Sequence, residues 1–415
     1  MRRLLLVTHR SPEQDGGPAA RWRAFVRYLP EHGWEVEVLS AATRAGASEF
    51  DVGSSFAVRS RAVGMAQLAR LSEPAFHRAG VRPDALPLSM LWVPRGARLV
   101  RRRIEEHPPD VVLASGPPIA GPIAARLGVT RDVPLIVELR DLWAGSPAFD
   151  DGGRVLSNIE DWLLGRARRV IACTPEAVSD LGLRHPLLGE RIVQIPNGFD
   201  PEIKSMASAG MTPTRASEDW ARRTLTLLHS GTLTSARPLT PLLRALADPR
   251  VAGSFRLVLH GYLSPASRAE VALARQNGSV QIEVLTPSPW REAVRRIAAA
   301  DACLITQARA AGDQTAVASK IYEYLALGKP VLCVTDGGAS EALLQRLEAD
   351  ELCARLGEPE TIVAALMRLR DGAVSPLPPE RLKPYSRQAL AGRMAALLED
   401  VASGSTPIAA AGSSA

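Results

Sequence analysis

The sequence predicts an α/β protein made of two doubly wound parallel-sheet domains in succession. Three observations carry that expectation. Short apolar runs of strand length alternate with helix-length segments over the first 200 residues. The alternation stops in a polar, mixed stretch, "PEIKSMASAGMTPTRASEDWARR", residues 201–223, read as a linker, and then resumes. The strand-like runs also end in loops rich in Gly, Pro and Ser, and in such sheets ligands sit beyond the carboxyl ends of the strands.

The elements follow in order. Leu4 to Val7 is a buried strand, the loop "THRSPEQDGGPAAR" follows, and a helix runs from about Ala20 to Leu29. "WEVEVLSA" is the next strand, with Val36 and Val38 on one face. "PDVVLASGPP" is a strand ending in a turn, Ile119 to Leu127 a helix, and "VPLIVELRD", "ARRVIACT" and "RIVQIPNGFD" three further strands. These give an N-terminal domain over 1–200. After the linker, "LTLLHSGT", "FRLVLHGY", "VQIEVL", "ACLITQ" and "PVLCVT" are the strands of a C-terminal domain over 224–382. "YSRQALAGRMAALLEDV", residues 385–401, has apolar residues at helical spacing, and the tail 402–415 is low-complexity and expected to be disordered.

At 415 residues, the chain is long enough for two cores. Its four cysteines, Cys173, Cys303, Cys333 and Cys353, have no metal-like or redox spacing, which suits reduced, buried thiols. "MRRLLLVTH" is too short in its apolar part for a signal peptide, and no apolar run is long enough to span a membrane. A cytoplasmic protein is expected. The formal charge is +6, unevenly spread: between Arg59 and Arg103 ten arginines face only Glu73 and Asp84. Within that segment, "SMLWVPRGARLVRRR" sets apolar residues beside five arginines, which suits an interfacial surface or an anionic partner, and equally a solvated basic face. No motif for nucleic acid is present.

G-x-G-x-x-G, G-x-x-x-x-G-K-[ST], H-E-x-x-H and G-x-S-x-G are all missing, which disfavours dinucleotide enzymes, P-loop NTPases, zincins and serine hydrolases. Asp150 and Asp151 form a loop pair in which a metal is not expected. "SKIYEYLALGKPVLCV", Ser319 to Val334, reads as a helix feeding a strand, with Ser319 as N-cap and Gly328 as the left-handed residue past the helix end. Lys320 then falls in the first turn, where the helix dipole disfavours a cation by about 0.3–1 kcal/mol. A bound phosphate would reverse that preference, and Glu323, one turn on, has the acceptors for a ribose diol. By themselves the two residues read also as an i, i+3 ion pair worth about 0.2–0.5 kcal/mol. In "SGTLTSARPLTPLLRAL", Gly231 allows close backbone approach and Arg237 adds a second cation near a strand end.

With these stretches in this order, the chain resembles the glycosyltransferases of family 4, which have the two-Rossmann-domain GT-B fold. "KIYEYLALGKPVL", "DVVLASGPP", "VELRDLW", "IPNGFD" and "AADACLI" carry the resemblance, which covers residues 1 to about 400. It implies a nucleotide-diphosphate sugar as donor and a glycan, lipid-linked or small-molecule hydroxyl as acceptor. It also implies retained anomeric configuration and no metal cofactor. Glu323 would bind the ribose, Arg237 and Lys320 the diphosphate, and Thr286 and Pro287 the base. Gly16 and Gly17 would let the first loop approach donor or acceptor, Arg140 and Asp141 would lie near the reacting sugar, and helix 385–401 would return to the first domain. The family's Glu-x(7)-Glu pattern is broken: Thr315 stands eight residues before Glu323, and Asp313 is the nearest substitute. A non-hydrolysing nucleotide-sugar 2-epimerase and a catalytically inactive GT-B partner are the alternatives.

Overall fold

The computed structural model describes residues 1–9, 17–41, 57–60, 89–144, 153–208, 223–234, 237–278, 280–308, 314–375 and 377–404. The chain divides into two units, one formed by residues 1–145, 149–196 and 387–415, the other centred on Asn197–Ser386.

The first unit is a wholly parallel sheet in the order β3-β2-β1-β4-β5-β6-β7. Its strands are β1 (Arg2–Thr8), β2 (Trp34–Ala41), β3 (Ala57–Ser60), β4 (Val111–Gly116), β5 (Leu135–Leu139), β6 (Arg169–Ala172) and β7 (Ile192–Gln194). The helices are α1 (Gly17–Tyr28), α2 (Val93–Glu106), α3 (Ala120–Gly128), α4 (Gly153–Gly165) and α5 (Pro175–Arg184). Every residue of β4 and β5 is buried, which is why these strands read as continuous apolar runs rather than alternating ones. The order reverses between β1 and β4, so the first unit's natural ligand edge lies at their carboxyl ends.

The apolar residues beside the arginines of "SMLWVPRGARLVRRR" belong mostly to the core. Trp92, Val93, Val100 and Ile104 are buried, while Leu91, Arg95, Arg98, Arg101 and Arg102 are exposed. A side-chain carbon at Gly96 would lie 3.0 Å from Ala124 Cβ of α3, and one at Gly128 would lie 2.5 Å from the Ala97 carbonyl, so α2 and α3 press together through two glycines. The amphipathic pattern is therefore the signature of a core-facing helix, with Leu91 as its one large apolar residue clearly in solvent.

The second unit repeats the scheme in the order β10-β9-β8-β11-β12-β13, again parallel. Its strands are β8 (Leu225–Ser230), β9 (Phe255–His260), β10 (Gln281–Leu285), β11 (Ala302–Gln307), β12 (Val331–Thr335) and β13 (Cys353–Arg355). Its helices are α6 (Ile203–Ser208), α7 (Thr240–Leu246), α8 (Pro265–Gln276), α9 (Trp290–Ala299), α10 (Lys320–Ala326), α11 (Ala339–Arg346), α12 (Pro359–Arg370) and α13 (Pro379–Leu382). The reversal here falls between β8 and β11. Cys173, Cys303 and Cys333 are buried. Burial pushes the Cys173 thiol up to about 12 and the Cys303 thiol up as well, so neither forms a reactive thiolate.

Three differences from the sequence reading have physical causes. The start of the expected linker is a helix, α6, whose Ile203 and Ala207 enter the second unit's core together with Phe199; residues 209–222 lie outside the described residues. Ser319 adopts helical angles and its hydroxyl caps nothing, so α10 starts without a side-chain cap. Strands β3 and β13 are short edge strands that gave no apolar run to read. Gly328 does adopt the left-handed conformation, at φ 69°.

The last helix, α14 (Arg387–Ala402), belongs to the first unit. Leu390, Met394, Leu398 and Val401 form one core with Trp22, Phe25 and Val26 of α1. Each such burial is worth about 1.5–3 kcal/mol. The chain enters and leaves the second unit side by side, where the Phe199 N–H donates to the Tyr385 carbonyl at 3.1 Å.

Candidate functional site

In the second unit the strand ends carry a dense polar cluster. Tyr324 of α10 is tied to the end of β8: its hydroxyl accepts from the Ser230 N–H at 3.0 Å. Lys320 and Glu323, three residues apart, share one helix face, while Ile321, Tyr322, Tyr324, Leu325 and Ala326 fill the core.

Glu323 is 5% exposed. The Lys320 ammonium donates to Glu323 Oε2 at 2.8 Å, and the indole N–H of Trp290 donates to Glu323 Oε1 at 3.2 Å. The i, i+3 ion pair that the sequence allowed is thus present, and it is joined by a tryptophan from the loop after β10.

Arg237 lies on the loop between β8 and α7, its guanidinium donating to the Thr232 carbonyl at 3.1 Å. His229 lies at the end of β8, within the field of Arg237 and Lys320. Burial, then Arg237, and to a lesser extent Lys320, pull the His229 pKa down to about 4. His229 Nδ1 donates to the Leu304 carbonyl at 3.1 Å, so the neutral ring presents Nε2 as an acceptor, buried and without a partner among the described residues. His260, at the end of β9, bridges Ser230 Oγ at 3.2 Å and Ser288 Oγ at 2.9 Å. Its pKa is lowered by burial, then by Arg296 and Lys320.

Gly231 has φ 149° and Gly261 has φ 135°. A side-chain carbon at Gly261 would stand 2.1 Å from the Gly231 carbonyl oxygen. The close approach expected at Gly231 is therefore made by backbone of the neighbouring loop, and Gly261 is the residue that permits it. Thr286 and Pro287 are exposed in the loop between β10 and α9. The segment before α10 is pinned to α11: Ala339 N–H donates to the Gln314 carbonyl at 2.8 Å, and Ala318 N–H to Ser340 Oγ at 3.1 Å. Thr315 is in this pinned segment. Gly16, Asp313, Asp150 and Asp151 lie outside the described residues. Gly17 is the first residue of α1.

The first unit's strand ends are built differently. Arg140 is buried, and its guanidinium holds the carbonyls of Gly116, at 3.2 Å, and Pro117. Asp141 beside it is exposed. Beneath them Arg21 and Glu138, 1% and 0% exposed, form an ion pair at 2.8 Å. Glu138 Oε2 also accepts from Ser115 Oγ at 2.6 Å, Ser115 Oγ accepts from the Trp22 indole at 2.9 Å, and Arg21 reaches the carbonyls of Ile195 and Pro196. Sequence reasoning did not find Trp290, His229, His260, Ser288, Tyr324, Gly261, Arg21 or Glu138. One signal was readable: "LLHSG" and "VLHGY" each put a histidine just before a loop glycine on successive strands.

Among the described residues no group of three or more His, Cys, Asp or Glu is placed to hold a metal ion. No helix among them is long and apolar enough to cross a membrane.

Residues 15–203 match the family model described as Glycosyltransferase Family 4. The matched region is similar to that family, and the chain as a whole has the GT-B fold. No curated protein matches the chain. Among solved structures it is similar to HepE of Anabaena, solved with UDP and glucose (16% identity, covering 96% of this chain and 100% of that one, TM-score 0.60). It is also similar to α,α-trehalose 6-phosphate synthase of Burkholderia multivorans (16%, 97% and 100%, TM-score 0.65). A third is the lipopolysaccharide outer core galactosyltransferase WaaB in its apo form (13%, 96% and 99%, TM-score 0.60).

Proposed function

We propose that this protein transfers a sugar from a nucleoside diphosphate sugar to a hydroxyl acceptor, binding the donor at the strand ends of its second unit. The observation that carries the reading is Glu323, a nearly buried carboxylate oriented by Trp290 and the cation Lys320, with a second cation, Arg237, on the loop after β8, the strand end to which Tyr324 of the same helix is tied. A carboxylate matches a ribose diol and two cations match a diphosphate. That HepE was solved with UDP and with UDP-glucose supports the same donor class.

In the reaction, the acceptor oxygen bonds to the anomeric carbon as the bond from that carbon to the diphosphate oxygen breaks. The acceptor proton passes to the departing diphosphate, and nucleoside diphosphate is released. Negative charge grows on the leaving group, so Arg237 and Lys320 stabilise the transition state more than the ground state. Those two cations support a metal-independent reaction. Retention, and the placing of Gly16, Gly17, Arg140, Asp141 and Asp313 near the reacting groups, rest on the family resemblance. Thr286 and Pro287 are proposed for the base, on the exposed loop that Ser288 and Trp290 anchor. A cytoplasmic location fits nucleotide-sugar supply. The exposed arginines of α2, with Leu91, support an anionic membrane surface as the source of a lipid-linked acceptor.

Calorimetric titration with UDP, ADP, GDP and TDP, followed by donor turnover in excess chelator, tests this reading. Binding of one nucleotide and chelator-resistant release of it from its sugar are expected. Binding without turnover with any acceptor would favour an inactive partner, and interconversion of the donor sugar would favour the epimerase. Binding to none of the four overturns the reading.

A further inference from the structure

We propose that Trp290 is a positioning residue that sets the Glu323 carboxylate at a fixed distance from the base loop; this rests on the donor-site reading above. The Lys320–Glu323 pair cannot do this alone. Both residues belong to α10, and a lysine is a point charge on a flexible stem, so it neither fixes the plane of a carboxylate nor ties it to another element.

Trp290 supplies what the lysine lacks. It is the first residue of α9, at the end of the loop after β10, and its rigid indole donates to the carboxylate oxygen that Lys320 does not hold. The loop itself is stiff. Pro287 and Pro289 fix two backbone angles, and Ser288 between them is hydrogen-bonded to His260 of β9 at 2.9 Å. His260 in turn meets Ser230 of β8, whose N–H donates to Tyr324 of α10. Two routes of hydrogen bonds therefore connect the β10–α9 loop to α10, one through Trp290 and one through His260.

Base and ribose are joined by one bond in any nucleoside, so a site that reads both must hold its base loop and ribose acceptor at one spacing. Trp290 is the shorter of the two connections and the only one of them that ends on the carboxylate. A donor on each oxygen also fixes the rotation of the carboxylate about its terminal bond, which sets where its lone pairs face.

Trp290→Phe keeps an aromatic ring and removes only the donor. The probes are the nucleoside diphosphate that the wild-type chain binds among UDP, ADP, GDP and TDP, and its 2′,3′-dideoxy analogue. The expected result is that Trp290→Phe weakens the ribose form by about threefold to tenfold and leaves the dideoxy form unchanged. In a Glu323→Ala background, where both forms already bind alike, Trp290→Phe should then change neither. A purely structural tryptophan would weaken both forms equally, and that result overturns the proposal. So does a Trp290→Phe protein that binds like wild type while Trp290→Ala loses affinity, since the ring would then act by stacking alone. Melting curves of each variant separate misfolding from these outcomes. If the wild-type chain binds a nucleotide but Trp290→Phe keeps the full ribose preference, the positioning role fails and the donor site stands; if it binds none, both fall.

Discussion

The two units share one topology and differ in how they use charge at the carboxyl ends of their strands. In the first, Arg21 is spent on Glu138 and Arg140 on two carbonyls, all within the protein. In the second, Lys320 bonds Glu323 while its side chain stays 28% exposed, and Arg237 donates to the Thr232 carbonyl of its own loop. Similar parallel sheets, of seven and six strands, thus carry a wholly buried ion-pair brace in one unit and a partly exposed Lys–Glu cluster in the other. Fold alone does not say which strand ends take a ligand; the donor site proposed above rests on the disposition of charge.

The contrast is broken most severely in the first unit. Arg21→Met leaves Glu138 as a buried, unpaired carboxylate, and a stability loss of about 3–5 kcal/mol is expected in urea unfolding, with nucleotide affinity of the folded fraction unchanged. A loss below 1 kcal/mol would mean that the pair is not the brace described.

A smaller effect belongs to His229. Its folded-state pKa, about 4, lies below the ordinary 6.5, so the folded chain favours the neutral ring. The associated stability is complete above pH 6.5 and is lost as pH falls towards 4, by roughly 3 kcal/mol at most. His229→Asn should flatten that part of the pH–stability curve. Curves of wild type and variant that stay parallel between pH 7 and 4 would remove the neutral histidine from the account.

Glu323→Ala comes next, with an expected weakening of nucleoside diphosphate binding by about 1.5–3 kcal/mol, read by calorimetry. The loss should also shrink the preference for ribose over its dideoxy analogue. An unchanged affinity would shift the site away from α10.

The sequence shows the fold well because the inner strands of both parallel sheets are buried, so β4, β5, β11 and β12 appear as apolar runs. Short edge strands such as β13 have no such run. In the site, Lys320 and Glu323 were legible because they interrupt an apolar helix three residues apart. Trp290 was not, because its link to Glu323 spans 33 residues and depends on how a proline-flanked loop lies against α10. Arg21 and Glu138 were hidden for the same reason, being 117 residues apart. The α2 segment was legible only in part: Arg95, Arg98, Arg101 and Arg102 are exposed, as either an interfacial or a solvated basic face requires, but the sequence did not show that Trp92, Val93, Val100 and Ile104 beside them face the core. Ser319 shows that a good capping residue before a helix does not always cap it; its backbone is already helical there.

The central claim is that the second unit's strand ends, and not the first unit's, form the donor nucleotide surface. Amide hydrogen exchange with and without saturating nucleoside diphosphate tests it most directly. The account predicts slowed exchange in peptides around Gly231, Gly261, Ser288 and Lys320, and no change around Ser115 and Arg140. Protection confined to Ser115 and Arg140, with the second unit unchanged, would contradict it.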